Sequence, residues 1–455
     1  MKKKAISVIL AGAMALTLGA CGSSSSTSSS SSSDVVTTGA TSTATTSGSS
    51  ANGDVEELSL WHYFDAADGP MIDQLVNEFN KENPDIHVTA TFVSREELMN
   101  QYTVGAVSGE LPDIGMVDSP DMASYIKLGV FEDITDELND WGQLDKFYAG
   151  PLESCKDSDG KVYGLPQNSN CLALAVNMDL LKKAGYDHTP TSAKEFAEMV
   201  AATTDASTST YGFAMSAVSN EEGTFQLLPW LCATRDGKKG SVSDIDSATC
   251  SEGLQMLGDF VKNGYMSKEV VNWGQSDAYN QFTSGKAAFE ELGTWQLPTI
   301  ADDVNGAFNY QVVLLPTGDE GTTSSVIGGE NFGVCAGSKH KEAAVKFLEY
   351  FCSKEEEKSW SEGAGKLPTR SDVTPNYSYE QDAFKVFQEE MNSAMARGPH
   401  AEWPTISEAI YTAAQSVMVN GNTAKDALKT AAGTIDPILK ENPLPAESST
   451  SSTES

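Results

Sequence analysis

Apolar residues after position 55 follow two alternating periods. Short β-rich runs are separated by segments in which apolar residues recur every three or four positions, as on the buried face of a helix. The predicted strands cover 58–64, 86–92 and 113–117, and the predicted helices between them cover 69–82 and 96–107. On the first helix, Leu75, Val76 and Phe79 share one face. This order predicts a mostly parallel sheet with helices on both faces.

The second half of the chain continues in the same way. Predicted strands cover 172–176 and 310–315, and predicted helices begin at Ser192 and cover 251–263 and 341–352. Ser192 and Glu195 have the spacing of a capping box, which marks the start of a helix. Because the chain is too long for one ordinary core, we expect two α/β units.

The N-terminus carries the pattern of an export signal. Three lysines precede an apolar stretch that ends in Leu18-Gly19-Ala20-Cys21. This ending resembles a bacterial lipobox, so residues 1–20 are predicted to be a lipoprotein signal peptide and Cys21 the lipidated first residue of the mature protein. A plain signal peptide or a single anchor helix is the alternative. Residues 21–54, rich in Ser and Thr, are predicted to be a disordered tether, and 443–455 a disordered tail.

The charge of the chain excludes several classes of partner. There are 64 acidic against 30 basic residues, and the formal net charge is −34. Nucleic acid requires clustered Lys and Arg, so it is not an expected partner, and an anionic lipid surface is disfavoured. The acidic residues are scattered, which indicates a solubilising surface on an exported protein.

Motifs for catalysis or metal binding are missing from the sequence. The five histidines are dispersed, and the cysteines other than Cys21 form no C-x-x-C pair. We therefore expect no metal, no cofactor and no enzyme, and we expect the remaining cysteines to be mostly buried free thiols. These are Cys155, Cys171, Cys232, Cys250, Cys335 and Cys352.

A series of short motifs, in order along most of the chain, resembles one family. They include Trp61 after the first strand, Phe79-Asn-Lys-Glu-Asn-Pro84, Gly109-Glu-Leu-Pro-Asp-Ile114, Gly160-Lys-Val-Tyr-Gly-Leu-Pro166, Gly293-Thr-Trp295, Ile327-Gly-Gly-Glu330 and Leu367-Pro-Thr-Arg370. Each motif is weak alone, but the ordered set resembles the family 1 extracellular solute-binding proteins, the family that includes maltose-binding protein.

The resemblance implies an α/β clamp of two lobes, each a mostly parallel sheet flanked by helices, with the ligand cleft between them. It implies an N-lobe of 55–166 plus 310–352 and a C-lobe of 167–309 plus 353–442. The implied function is that of the substrate-binding lipoprotein of an ABC importer. A monomer would close on a sugar or oligosaccharide and deliver it to the membrane permease. It would be lipid-anchored on the outer face of the cell membrane, as in a Gram-positive bacterium.

Candidate ligand-binding residues follow from the chemistry of sugars and from the resemblance. A pyranose needs a flat aromatic side chain for its C–H face and polar side chains for its hydroxyls. Trp295 matches the family's stacking aromatic, and Asp65 matches a position that contacts hydroxyls. The other candidates are Trp61, Asp118, Trp230, Glu330, Arg370 and Trp403. Structural roles are the alternatives: packing for the tryptophans, a helix cap for Asp118 and an ion pair for Arg370.

Other functions stay open on the sequence alone. Within the same class, the ligand could be another polar solute such as a polyol or a glycosyl phosphate, although few basic residues lie near the motifs. A surface glycan-active enzyme could use two of Asp65, Asp118 and Glu330 as its carboxylate pair. A glycan adhesin would share the fold.

Overall fold

The computed structural model describes residues 55–65 and 67–445. The predicted signal peptide 1–20, the tether 21–54 with Cys21, and residues 446–455 of the predicted tail lie outside this part of the chain. Within it, no helix is both long enough and apolar enough to span a bilayer.

Strands and helices alternate through the described residues. The strands are β1 (Glu56–His62), β2 (Ile86–Phe92), β3 (Ile114–Asp118), β4 (Gly164–Pro166), β5 (Leu172–Asn177), β6 (Tyr211–Ala214), β7 (Thr234–Arg235), β8 (Lys238–Lys239), β9 (Ala287–Gly293), β10 (Tyr310–Val313) and β11 (Glu330–Val334). The helices are α1 (Asp68–Glu82), α2 (Arg95–Ser108), α3 (Met122–Leu128), α4 (Thr135–Trp141), α5 (Ala149–Glu153), α6 (Met178–Lys183), α7 (Ala193–Thr203), α8 (Glu221–Leu231), α9 (Ala248–Asn263), α10 (Gln275–Thr283), α11 (Leu297–Val304), α12 (Lys341–Phe351), α13 (Lys354–Ala364), α14 (Gln381–Glu390), α15 (Trp403–Met418) and α16 (Ala424–Glu441).

The first lobe is built on a five-stranded sheet in the order β2-β1-β3-β11-β4. Alternate residues of β1, Leu58 and Leu60, are buried, which is why this segment forms a half-buried strand. One cluster of buried side chains joins the sheet to α1, α12 and α13, and a second joins it to α2 and α3. The sheet is therefore covered by helices, as the alternating pattern predicts.

The second lobe is built on a four-stranded sheet in the order β10-β5-β9-β6. A large apolar cluster contains side chains of α7, α8, α9, α15 and α16 together with β5 and β9. Another contains side chains of α10, α11 and α14. All six residues of β5 are buried, because both faces of this strand are covered.

Strand direction and two lobe boundaries differ from the prediction. In the first sheet β1 is parallel to β2 and β3, but β11 is antiparallel to β3 and β4. In the second sheet only the pair of β6 and β9 is parallel. Both sheets are therefore mixed rather than mostly parallel.

Strand β10 pairs with β5 in the second lobe, although 310–352 was predicted to lie in the first. Trp360 of α13 packs in the first lobe against Phe64, although that lobe was predicted to end at 352.

Three connecting segments cross between the lobes and lie side by side. They are 167–171, 314–329 and 365–380. Ser169 and Leu367 exchange two backbone hydrogen bonds of 2.8 Å each, and Asn170 and Gly328 exchange bonds of 3.0 and 2.9 Å. Hydrogen-bonded crossings of this kind form a compact hinge, where small changes in backbone angle can rotate one lobe against the other.

A buried carboxyl group makes the stability of the second lobe depend on pH. Glu390, the last residue of α14, is fully buried, and its Oε1 accepts a hydrogen bond of 2.5 Å from the backbone N–H of Leu315. Burial raises the pKa of Glu390 from 4.5 to about 7, although hydrogen bonds from Leu315 and Thr323 oppose the shift. The folded protein therefore holds this proton more tightly than the unfolded chain does.

We expect Glu390→Gln to remove one part of the pH dependence of folding. A raised pKa adds stability below the unfolded value of 4.5, and this stability is lost as pH rises through about 7. Relative to the variant, the wild type should lose on the order of 3 kcal/mol of unfolding free energy over that range. Urea denaturation of both proteins at several pH values measures the difference. A difference that is independent of pH would contradict the assignment.

Candidate functional site

A cavity of about 360 Å³ lies between the two lobes. Its lining combines six aromatic side chains with carboxylate, amide, hydroxyl and cationic groups from both lobes and from the connecting segments. The aromatic residues are Tyr63, Phe64, Phe92, Phe225, Tyr279 and Trp295. Binding sites for small ligands typically have this size and this mixture of apolar surface with a few placed polar groups.

One wall of the cavity is formed by acidic residues around a single lysine. Asp65 follows β1, and its backbone oxygen accepts bonds from the N–H groups of Asp68 and Gly69 at 2.8 and 3.0 Å, which begins α1. The Oδ2 of Asp68 lies 2.8 Å from the Nζ of Lys366, which comes from the third connecting segment. Glu330, the first residue of β11, completes the wall. We call Asp65, Asp68 and Glu330 the acidic wall.

Burial alters the acid strength of this wall. It raises the pKa of Asp68 and of Glu330, and in both cases the charge of Lys366 opposes the shift. One oxygen of each carboxyl group, Oδ1 of Asp68 and Oε2 of Glu330, is buried and has no hydrogen-bond partner within the described part of the chain. The wall therefore has an excess of acceptors over donors.

Trp295 provides an aromatic surface in the same cavity. It lies in the short 3-10 turn Thr294–Gln296 directly after β9 and is only partly buried. A Cβ on Gly293 would lie 2.1 Å from the Trp295 ring, so glycine is required for the indole to lie against the backbone there. The Nζ of Lys366 is 5.4 Å from the ring centroid, within the distance of a cation–π contact.

A second group of charged side chains at the cavity, which we call the ion cluster, is formed by Arg95, Asp118, Asp121, Glu221 and Arg397. Asp118 is paired with Glu330 of the acidic wall across β3 and β11. Asp118, at the end of β3, accepts two hydrogen bonds from Arg397 at 2.9 and 3.0 Å and one from Arg95 at 3.0 Å. Arg397 also donates to Glu221 at 2.6 Å, and its side chain is 2% exposed. Burial raises the pKa of Asp121 to about 7, although Arg95 opposes the shift. The cluster joins the first lobe to the second.

Four of the predicted site residues meet in this cavity. Asp65, Asp118, Glu330 and Trp295 all line it, although they are far apart in the sequence. Asp65 and Asp118 follow parallel strands of one sheet, and ligands of α/β proteins bind beyond the carboxyl ends of such strands.

The other four predicted residues are not among the lining residues. Trp61 packs behind the cavity against Tyr102, with ring centroids 6.3 Å apart. Trp230 is fully buried in the apolar core, 5.0 Å from Phe196, because α8 is buried over nearly its whole length. We therefore leave both tryptophans out of the proposed site.

Arg370 and Trp403 also have structural roles and do not line the cavity. Arg370 is buried and forms an ion pair of 3.0 Å with Asp372, which is the structural role considered for it as an alternative. Trp403 is fully buried, and its Nε1 donates a hydrogen bond of 3.0 Å to Glu221. Trp403 thus supports the ion cluster from behind instead of facing a ligand.

Several lining residues were missed from the sequence. Arg95 follows β2, so the same rule that selects Asp65 and Asp118 could have found it. Lys366 precedes the motif Leu367-Pro-Thr-Arg370 by one residue. Arg397 lies in a loop with no pattern of its own, and no local signal indicates it.

Comparison with known proteins agrees with this geometry. Residues 74–386 match the family described as bacterial extracellular solute-binding protein. A binding protein of Brucella abortus (strain 2308) is 24% identical over 403 residues, which cover 86% of this chain and 95% of that protein. The sn-glycerol-3-phosphate-binding periplasmic protein UgpB of Escherichia coli (strain K12) is 27% identical over 338 residues, which cover 69% of this chain and 74% of that protein.

Solved structures share the fold. An ABC transporter solute-binding protein from Thermotoga lettingae TMO, bound with alpha-D-tagatose, has a TM-score of 0.74 at 24% identity and covers 84% of this chain and 100% of that chain. Maltose-bound MalE3 of T. maritima has a TM-score of 0.73 at 23% identity, covering 85% of this chain and 100% of that chain.

Two lobes, a hinge of three crossings and a solute-sized cavity define a binding protein of the clamp type. The chain belongs to the bacterial extracellular solute-binding proteins, because the family match covers well over half of it.

We expect Arg397→Gln to destabilise the protein strongly. The change removes the ion pair of the buried Glu221, whose Oε1 keeps the hydrogen bond from Trp403, and breaking a buried ion pair typically costs about 3–5 kcal/mol. Lys127→Gln is the matched control, because it breaks an exposed pair between Lys127 and Glu402 and should leave the unfolding midpoint unchanged. Chemical denaturation measures both. Equal stability of the two variants would contradict a structural role for the ion cluster.

Proposed function

We propose that this chain is the receptor of an ABC importer that captures a sugar or a short oligosaccharide in the cavity between its lobes and delivers it to the membrane permease. The observation that carries the proposal is the pairing of Trp295 with the acidic wall in one cavity. A sugar ring stacks on a flat apolar surface, and its hydroxyl groups need hydrogen-bond acceptors that replace the water they lose on binding. Both requirements are met within this cavity.

The charges of the cavity favour a sugar over a phosphorylated ligand. Three cationic side chains line it, and each is already paired: Arg95 and Arg397 with Asp118, and Lys366 with Asp68. The lining contains six carboxylates in total, so a phosphate would meet repulsion without a free cation to bind it. This argument separates the chain's proposed ligand from that of the glycerol-phosphate-binding relative.

Glycoside hydrolysis fits the same residues poorly. Such enzymes need one carboxyl group that gives up a proton and a second that acts as nucleophile or base. Both oxygens of Asp118 already accept hydrogen bonds from Arg95 and Arg397, so this carboxylate is not free to act as nucleophile or base. The binding role uses every feature of the cavity, so we propose no enzymatic function.

Calorimetric titration tests the proposal, and Trp295→Ala is its decisive variant. The titrated panel contains monosaccharides and short oligosaccharides, with glycerol 3-phosphate as the anionic comparison. We expect a sugar to bind. An aromatic platform contributes on the order of 1–3 kcal/mol, so Trp295→Ala should weaken that binding about tenfold or more.

Trp230→Ala is the matched control for this variant. Trp230 is fully buried, so its loss should lower the stability by about 3–5 kcal/mol through a cavity in the core, whereas Trp295→Ala should change the melting temperature little. Binding of glycerol 3-phosphate with no response to any sugar would contradict the proposal. Unchanged sugar affinity of Trp295→Ala would contradict the stacking role.

The proposal includes a lipid anchor at Cys21 on the outer face of the membrane. It is supported by the lipobox-like ending Leu18-Gly19-Ala20-Cys21 and by the long Ser-rich segment that follows. A receptor held near its permease meets it at a high effective concentration.

We expect Cys21→Ala to release the protein from the membrane fraction into the medium or to leave an unprocessed precursor. Fractionation and immunoblotting of cells that express the wild type or the variant measure this. A variant that is fully processed and still bound to the membrane would rule out lipidation at Cys21.

A further inference from the structure

The acidic wall has more negative charge than its surroundings compensate. Asp65, Asp68 and Glu330 provide three carboxylates, and Lys366 is the single cation among them. The ammonium group of Lys366 is held by Asp68 at 2.8 Å and also interacts electrostatically with Glu330 and Asp65. The wall therefore contains three acidic side chains for one basic side chain.

Two oxygens of the wall have no hydrogen-bond partner among the residues that the structure describes. Asp68 is only 8% exposed, and its Oδ1 is buried without a hydrogen-bond donor. The Oε2 of Glu330 is in the same situation. A buried acceptor without a donor is costly, and a buried charge without a counter-charge is more costly still. Both atoms add to the excess of acceptors at the wall, which a ligand that donates hydrogen bonds and carries positive charge would offset.

Among residues 55–65 and 67–445, the cavity lining supplies no further unpaired cation to this wall. The other cationic residues that line the cavity, Arg95 and Arg397, belong to the ion cluster and are bound there by Asp118, Asp121 and Glu221. They are fixed by hydrogen bonds of 2.6–3.1 Å. A compensating charge at the acidic wall must therefore come with the ligand.

The aromatic lining of the cavity is also suited to a cation. Protein cations already lie over three of its rings: Arg397 at 4.5 Å from the centroid of Phe225, Lys366 at 5.4 Å from that of Trp295, and Arg95 at 6.0 Å from that of Tyr63. Aromatic faces attract positive charge through their quadrupole. The cavity thus combines aromatic surface with uncompensated carboxylates.

We propose that the acidic wall binds a protonated amino group of the ligand, so that the solute class is that of amino sugars. This inference rests on the proposed function and narrows its ligand. The sugar ring stacks on Trp295, and its ammonium group donates to the carboxylates of the acidic wall. An N-acetylated sugar has the same ring without the charge, and a plain sugar has a hydroxyl in place of the amine.

Sugars that share one ring but differ in the amino group test the contribution of the ligand's positive charge. Glucosamine, galactosamine, mannosamine and the β-1,4 dimer of glucosamine are each titrated against their N-acetyl and hydroxyl counterparts by calorimetry, at a pH that keeps the amine protonated. We expect at least one amine to bind about tenfold or more tightly than both counterparts, and the preference to shrink at high salt. A neutral sugar that binds as tightly as its amine would overturn this inference and leave the proposed function standing. If no sugar of either kind binds, both are overturned.

Variants of the wall residues test whether the preference for an amine over a neutral sugar arises at the acidic wall. Glu330→Gln and Asp65→Asn each remove one negative charge with little change of shape, and in both we expect the ratio of amine to neutral affinity to fall towards one. Glu110→Gln is the control, because it removes the same charge from an exposed position of the first lobe outside the cavity. An amine preference that survives in the Glu330→Gln, Asp65→Asn double variant would overturn the assignment to the acidic wall.

Discussion

The buried contact between Asp118 and Arg397 is the constraint on which the rest of the site depends. Asp118 is the last residue of β3 in the first sheet. Arg397 lies in the loop after α14, the helix that packs on the second sheet. Because the guanidinium is 2% exposed, it must be neutralised by carboxylates, and it binds Glu221 from the second lobe as well. The pair thus connects the two lobes beside the crossings, where Arg397 also donates to the backbone oxygen of Ile327, and it occupies the arginines of the cavity.

The ion cluster and the acidic wall consequently have different chemistry, although they adjoin where Asp118 pairs with Glu330 across β3 and β11. At the ion cluster, the carboxylates and guanidinium groups satisfy each other and leave little capacity for a ligand. At the acidic wall, Asp68 and Glu330 keep unpaired oxygens beside the aromatic surface of Trp295. Selectivity is therefore expected at the wall, whereas the ion cluster and the three crossings near Ser169 set the geometry of closure.

Much of the fold could be predicted from local pattern, but strand direction could not. The alternation around Leu58 and the apolar face of the first helix mark their elements, because burial of one face imposes a period. The antiparallel course of Glu330–Val334 depends on a long crossing and leaves no periodic signal. Asp65 could be placed because it follows a predicted strand.

The remaining site residues depend on tertiary contacts. Arg397 meets Asp118 across 279 positions of the chain, so neither residue carries a local sign of the other. Trp230 lies in a helix that is buried over nearly its whole length, whereas Trp295 lies in a short turn, and tertiary packing places the first in the core and the second at the cavity.

Small-angle scattering tests the central claim, that the lobes close on a sugar, most directly. The measurement compares the ligand-free protein with the protein saturated by the tightest-binding sugar, under otherwise identical conditions. Closure about the three crossings brings the lobes together, so the radius of gyration should fall on binding. An identical radius of gyration for both samples, at a concentration where calorimetry shows full occupancy, would contradict the account.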